Sequence, residues 1–326
     1  MYNPVKFFRN RKVGLALGSG GAKGLSHISV IEYLEVMNIP VDIISGSSIG
    51  AVIGSVYLCG NLDRLKKDML SFTKKELLSI ADITLPKSGL VKGKAFTEIM
   101  KRYIPPDAMI EDMPKPLAIV ATDYYTGRQV ILRKGRILEA LRSSISIPGV
   151  FIPAHRGDTF HIDGGVANPL PVDVVKSMGA GLTVAVNLHP GLKISKIKKY
   201  IKTGAEKIGI KFFSRKWQSP VTSLLPAALK KKSTVLIKKS GRQRPAQKEK
   251  IVYPSIFEVM FQAIDIMEYV NTQNILKYHI PTVLIEPDLL QTGTMDFYNA
   301  RKIIDAGYAA VELKKSELKR KIKLWV

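Results

Sequence analysis

Two glycine-rich turns near the N-terminal end constrain this chain more than anything else in it. Gly18-Ser19-Gly20-Gly21-Ala22-Lys23-Gly24 follows the apolar run Val13-Gly14-Leu15-Ala16-Leu17. Gly46-Ser47-Ser48-Ile49-Gly50 follows Pro40-Val41-Asp42-Ile43-Ile44. Each opens into an apolar run of helical length, Leu25 to Val36 and Ile49 to Leu58. Strand, tight turn and helix repeated in this way predict the start of an α/β domain. The second turn fits G-x-S-x-G, a nucleophile elbow with Ser48 at its apex. Small residues at Gly46 and Gly50 let a strand turn sharply into a helix, and the helix directs its positive N-terminal end at Ser48. Such an arrangement points to acyl transfer.

The rest of the chain keeps the same rhythm. Helices are expected over Asn61 to Ile80, Leu90 to Tyr103, Ile137 to Ser146, Pro171 to Met178, from Ser255 through Tyr269 and beyond, and Met295 to Leu313. Strands are expected at 117–121, 129–132, 160–162, 182–188 and 282–285. Strands alternating with helices imply a three-layer α/β fold with a largely parallel central sheet and helices on both faces. At 46% hydrophobic and 24% charged, the 326 residues hold ample material for its core. The single cysteine, Cys59, excludes a disulfide framework within the chain, suits a reducing compartment, and reads as a buried structural thiol.

The net charge of +23 is concentrated. Residues 191–250 carry 18 Lys or Arg against Glu206 and Glu249. The tail 314–326 carries six basic residues against Glu317, and the first twelve residues add four more. The remaining body is close to neutral. The expected organisation is a catalytic core at 13–190, a basic insertion at 191–250, a part completing the domain at 251–313, and a basic tail at 314–326. From Lys193 to Phe213, Ile194, Ile197, Ile201, Ala205, Ile208 and Phe212 form a helical stripe with lysines off it. Such a segment fits an anionic membrane surface, with Phe213 and Trp217 as further anchors, and equally fits a helix that packs its stripe on the domain. Nucleic acid ranks lower as a partner, because no reading module accompanies the charge. No apolar stretch reaches the roughly 18 residues of a spanning helix, and the N-terminus lacks a signal peptide's apolar core. The expectation is a cytoplasmic chain that can lie peripherally on the inner membrane face.

A serine nucleophile needs a base and preorganised donors for the oxyanion. The loop of Gly18, Gly20, Gly21, Ala22, Lys23 and Gly24 can supply donors. It is neither a Walker A loop, lacking Ser or Thr after the lysine, nor a full dinucleotide fingerprint, having Lys23 where the third glycine belongs. For the base, His189 and His279 lie in no catalytic context and read as ordinary surface or core histidines; His27 and His161 can line a site without acting in it. Asp163, at a strand end and followed by Gly164 and Gly165, is the better candidate.

These three motifs, in this order and spacing, resemble those of the patatin-like phospholipases, in particular the bacterial branch related to neuropathy target esterase. Ala121-Thr122-Asp123, Ser144-Ile145-Ser146-Ile147-Pro148-Gly149-Val150-Phe151 and Gly164-Gly165-Val166-Ala167-Asn168-Pro169-Leu170-Pro171 add to the likeness. It covers 13–190 well and 255–312 more loosely; the basic insertion is longer and more charged than the family's pattern. The resemblance implies a Ser48–Asp163 dyad without histidine, an oxyanion held by the Gly20 to Gly24 loop, and hydrolysis of phospholipid, lysophospholipid or other acyl esters without cofactor or metal. A non-catalytic lipid- or partner-binding module on the same fold is the alternative.

Overall fold

The computed structural model describes residues 11–73, 75–76, 93–192, 199–200, 250–251 and 253–323. Two units divide the chain, one of residues 1–193 with 255–326 and one of residues 194–254. In the first, an eight-stranded sheet has the order β10-β7-β1-β2-β3-β6-β5, with β4 also paired to β3. Its strands are β1 (Val13–Leu17), β2 (Ile43–Ser47), β3 (Leu117–Asp123), β4 (Gln129–Leu132), β5 (Ala154–Arg156), β6 (Thr159–Ile162), β7 (Leu182–Val186) and β10 (Val283–Ile285). The β1, β2, β3, β7 and β10 pairings are parallel, as the alternation of strands and helices predicts. An antiparallel arm departs from the parallel plan: β4 and β6 both pair antiparallel to β3, and β5 to β6. Short loops account for two of these pairings, since the few residues between β3 and β4 and between β5 and β6 can only fold a strand back.

The helices are α1 (Ser26–Val36), α2 (Ile49–Leu58), α3 (Leu62–Ser71), α4 (Lys94–Met100), α5 (Ile137–Ser144), α6 (Val172–Ser177), α7 (Ile256–Tyr278), α8 (Ala300–Leu313) and α9 (Lys315–Leu318). The central strands are buried on both faces and therefore read as continuous apolar runs. Leu15, Leu17, Val184 and Val186 join the larger core with Ile28, Ile31, Ile53 and Ile304 from α1, α2 and α8. Ala16, Ile43 and Ala185 face the other way, against Val172 and Val175 of α6. Ile275 and Leu276 of α7 pack against this second face as well, and the alternation of Leu and Ala in β1 matches its larger and smaller clusters. α7 begins with a capping box, in which Ser255 and Glu258 each bind the other's backbone N–H, a device that contributes about 1 kcal/mol.

Several boundaries differ from the sequence reading. β2 covers 43–47 instead of 40–44, because its ladder with β1 runs as far as Gly46, opposite Leu17. Among the described residues 93–103, regular helix is confined to α4, and α8 starts at Ala300 after a 3-10 turn at Phe297–Asn299. β5 had no apolar run to announce it. Cys59 ends α2 half-buried. In the second unit, Lys199–Tyr200 (β8) pair antiparallel with Lys250–Ile251 (β9). At those two residues the chain is strand, not the expected amphipathic helix; the rest of that stripe, like residues 77–80 of the 61–80 helix, lies outside the described residues. Among the described residues, no helix is long and apolar enough to cross a membrane.

Candidate active site

The elbow is built by close backbone approach. A Cβ on Gly46 would meet the Ala51 backbone nitrogen at 2.4 Å, and one on Gly50 would meet the Leu17 carbonyl oxygen at 2.1 Å. Both positions are thereby restricted to glycine if β2 is to turn straight into α2. Ser48 itself takes φ 52° and ψ −120°, a region that a residue with a Cβ rarely adopts. The turn is held from outside: the Ser48 N–H donates to Ser144 Oγ (2.8 Å), and Ser144 Oγ donates to the Val120 carbonyl (2.6 Å). Ser144, at the end of α5, thus ties the elbow to the neighbouring strand.

Asp163 arrives by way of the antiparallel arm. β6 runs against β3 only as far as Ile162, opposite Thr122, and then breaks. Thr122 Oγ1 donates to the Asp163 carbonyl and accepts from the Ala167 N–H, fixing the turn. The Gly165 N–H donates to Asp163 Oδ1 at 2.8 Å, which leaves Oδ2 to accept from Ser48 Oγ at 2.6 Å. Asp163 is 4% exposed. Burial, and then the neighbouring Glu268 charge, raise its pKa to about 7, against the opposing pull of the Ser48 and Gly165 hydrogen bonds. A carboxylate with that proton affinity, one hydrogen bond from a serine hydroxyl, is poised to accept its proton near neutral pH.

The glycine loop forms the adjoining wall. Its backbone donors are mostly spent on the scaffold: Gly18 on Val186, Ser19 on Pro169, Ala22 on Thr294 and Lys23 on Gly20. Gly20 and Gly21 make no N–H hydrogen bond among the described residues, and both line a pocket with Ser48 and Asp163. Gly24 packs against Ile49 at the start of α2. Lys23 steadies the loop through an ion pair with Asp265 of α7 at 3.2 Å. Ile147, Pro148, Val166, Phe261 and Ile264 give the same pocket its apolar lining.

The histidines separate. His27 Nε2 is 2.8 Å from the Gly18 carbonyl, and complete burial lowers its pKa to about 4, so it stays neutral and props the loop. His161 is likewise pushed down by burial. His279 ends α7 and lines a different surface pocket with Asn168 and Asp173. His189 does not fit the ordinary-histidine reading. It is buried behind the loop, with Nε2 3.0 Å from Glu268 Oε2 and 3.5 Å from Asp265 Oδ1. Burial works to lower its pKa, but the two carboxylates outweigh burial and raise it.

Sequence reasoning missed Glu268, Asp265 and Ser144. The two acids carried a signal: Asp265, Glu268 and Thr272 fall at spacings 3 and 4 on one face of α7, the two acids within its largely apolar stretch 259–270. α7 exposes Ile256, Phe257, Val259, Ile266 and Val270 and buries Glu268 and Thr272, the inverse of a solvated helix.

Residues 15–176 match the family model for patatin-like phospholipases. An uncharacterized NTE family protein of Mycobacterium tuberculosis is 37% identical over 178 residues, 55% of this chain and 49% of its own length. A second one from the same organism is 26% identical over 303 residues, 92% of this chain and 46% of its own. Mouse patatin-like phospholipase domain-containing protein 6 is 32% identical over 182 residues, 54% of this chain and 13% of its own. The chain spans about half the length of the mycobacterial relatives it matches.

Proposed function

Given that residues 15–176 carry a patatin-like phospholipase domain, we propose that the chain is a lipid acyl hydrolase working through a Ser48–Asp163 dyad and an acyl-enzyme. The observation that carries this reading is the 2.6 Å contact between Ser48 Oγ and Asp163 Oδ2 inside an apolar-lined pocket. Ser48 Oγ attacks the ester carbonyl while its proton passes to Asp163 Oδ2. The oxyanion is taken up by the Gly20 and Gly21 N–H groups, assisted by the N-terminal end of α2. Collapse expels the alcohol, which receives the proton held by Asp163. Water then attacks the acyl carbon with Asp163 accepting its proton, and Ser48 is released with the fatty acid. No histidine takes part in proton transfer, and the reaction needs no metal or cofactor.

Phospholipid and lysophospholipid are the proposed substrate class, and an anionic membrane surface the proposed partner. The apolar side chains exposed along α7 and the basic composition of 191–250 and of the tail support surface binding. Hydrolysis of a fluorogenic short-chain ester by wild type, with loss of at least ~100-fold in Ser48→Ala and in Asp163→Asn, is the expected result. Equal slow turnover by all three would leave a binding module on the same fold. A lipid panel read by mass spectrometry identifies the headgroup, and co-sedimentation with anionic and neutral vesicles tests the surface; binding indifferent to charge and salt would overturn that part.

A further inference from the structure

The mechanism above leaves four charged groups unused: Lys23, His189, Asp265 and Glu268. They form one chain behind the glycine loop, with Lys23, His189 and Glu268 buried and Asp265 half-buried. Lys23 Nζ lies 3.2 Å from Asp265 Oδ1, His189 Nε2 lies 3.5 Å from the same oxygen, and Glu268 Oε2 lies 3.0 Å from His189 Nε2. Ligand atoms of His189, Asp265 and Glu268 fall within 4.8 Å of one another, as in a cation site, but the Lys23 ammonium already supplies a cation there.

Glu268 is the end of this chain that reaches the chemistry. It is 5% exposed and lines the same pocket as Ser48 and Asp163. Its Oε1 stands where a Cβ on Gly165 would be only 1.9 Å away, so the Asp163-Gly164-Gly165 turn is glycine at that point to admit a carboxylate. A buried carboxylate is costly without a partner, and His189 provides one. Two carboxylates share one pocket, but only Glu268 has a histidine nitrogen against it, which separates their roles.

We propose that Glu268, seated against His189 at 3.0 Å and packed on the Asp163-Gly164-Gly165 turn, is a positioning residue of this site, whose carboxylate beside that turn sets Asp163 as the proton acceptor for Ser48. The inference rests on the dyad reading. The other charged and titratable groups around Asp163 leave the assignment with Glu268. His27 on α1 is neutral, Lys23 and Asp265 are paired with each other, Arg142 on α5 donates to Ser146 and to the Ile152 carbonyl, and His161 and Asp123 lie along the β6–β3 ladder. The charge of Glu268 is the second cause, after burial, of the raised Asp163 pKa.

The test is the pH profile of kcat/KM, whose acid limb reports the base in the free enzyme. Full-length wild type, Glu268→Gln and Glu268→Asp are assayed from pH 5 to pH 9 on a fluorogenic short-chain ester, with product read after quenching at one pH. Removing the negative charge eases ionisation of Asp163. The limb of Glu268→Gln therefore moves down by at least about half a pH unit, and its pH 6 to pH 8 activity ratio rises about two- to threefold. Its plateau falls, as for a weaker base. Glu268→Asp keeps the charge and keeps the wild-type limb. A merely structural role lowers the whole profile without moving its midpoint, and an unmoved midpoint in folded Glu268→Gln overturns the proposal. Where the amide fails to fold, Glu268→Met, similar in size with no polar atom to satisfy, is read in the same way. Wild type without Ser48-dependent turnover instead refutes the dyad reading, before Glu268 is asked.

Discussion

Replacing Ser48 by glycine and by alanine separates what the residue does for stability from what it does for chemistry. Both substitutions remove the hydroxyl that Asp163 accepts from, so that loss cancels in the comparison. Alanine keeps a Cβ at φ 52° and ψ −120°, whereas glycine adopts such angles freely. Strain of this kind costs about 1–3 kcal/mol. Against it stands the greater unfolded-state entropy of glycine, about 0.5–1 kcal/mol. The difference leaves Ser48→Gly more stable than Ser48→Ala by about 1 kcal/mol, roughly 1.5 °C in melting temperature at about 2.1 cal/mol/K of unfolding entropy per residue. Because glycine also outranks alanine at ordinary helix N-caps, the pair Asn61→Gly and Asn61→Ala gives the baseline. Asn61 precedes α3 with φ −113°, where no relief is on offer. Thermal or urea unfolding of the four variants measures the two gaps. If the gap at residue 48 is no larger than at residue 61, the elbow is not strained and the reasoning fails. Both Ser48 variants are expected to be inactive.

Gly50→Ala pushes a methyl to 2.1 Å from the Leu17 carbonyl oxygen and 2.8 Å from that of Gly18. Neither backbone can yield without moving the glycine loop, so urea unfolding should show a loss of at least about 1–3 kcal/mol together with lost turnover. Ser144→Ala strands the buried Ser48 N–H and the Val120 carbonyl, for a loss of about 1–3 kcal/mol by the same measurement. For pH, the folded pKa of Asp163, about 7, lies above its ordinary value of 3.8. The folded state therefore holds the proton more tightly than the unfolded state; the stability this gives is fully present below pH 4 and is lost as pH rises to about 7. Activity runs the opposite way, rising through the same range. Asp163→Asn should remove this share of the stability decline and melt above wild type at pH 8, and an Asn variant that melts lower at pH 8 and keeps the wild-type slope would refute it.

The three motifs were legible because each is a steric demand. Gly50 under the Leu17 carbonyl and Gly165 against Glu268 exclude any other residue, and the flanking apolar runs told which elements meet there. Direction was not legible for β6, because Phe160-His161-Ile162 alternates the same way in either sense and only the short connection to β5 turns it back. That antiparallel run is nevertheless what delivers Asp163 beside Ser48. Ser144 was visible only as part of a familiar string, since its work is done on the backbone of a residue 96 positions away. His189 misled for a related reason. Its neighbours in sequence are Leu188 and Pro190, and the acids that give it meaning come from α7, beyond the basic insertion.

The anchoring of the glycine loop has a consequence for how the protein is made. Ala22 is bound by the Thr294 carbonyl, and Lys23 by Asp265, 242 residues further along. At about 5–20 residues per second, a ribosome delivers Asp265 roughly 12–50 s after Lys23. In that interval the elbow, the Asp163 turn and the loop's anchors at Pro169 and Val186 are already synthesised, while the Ala22 and Lys23 end of the loop still lacks Thr294 and Asp265. Under the proposed dyad, the elbow and its acid are therefore made early, and the loop beside them is completed only when the segment carrying Asp265 and Thr294 has docked.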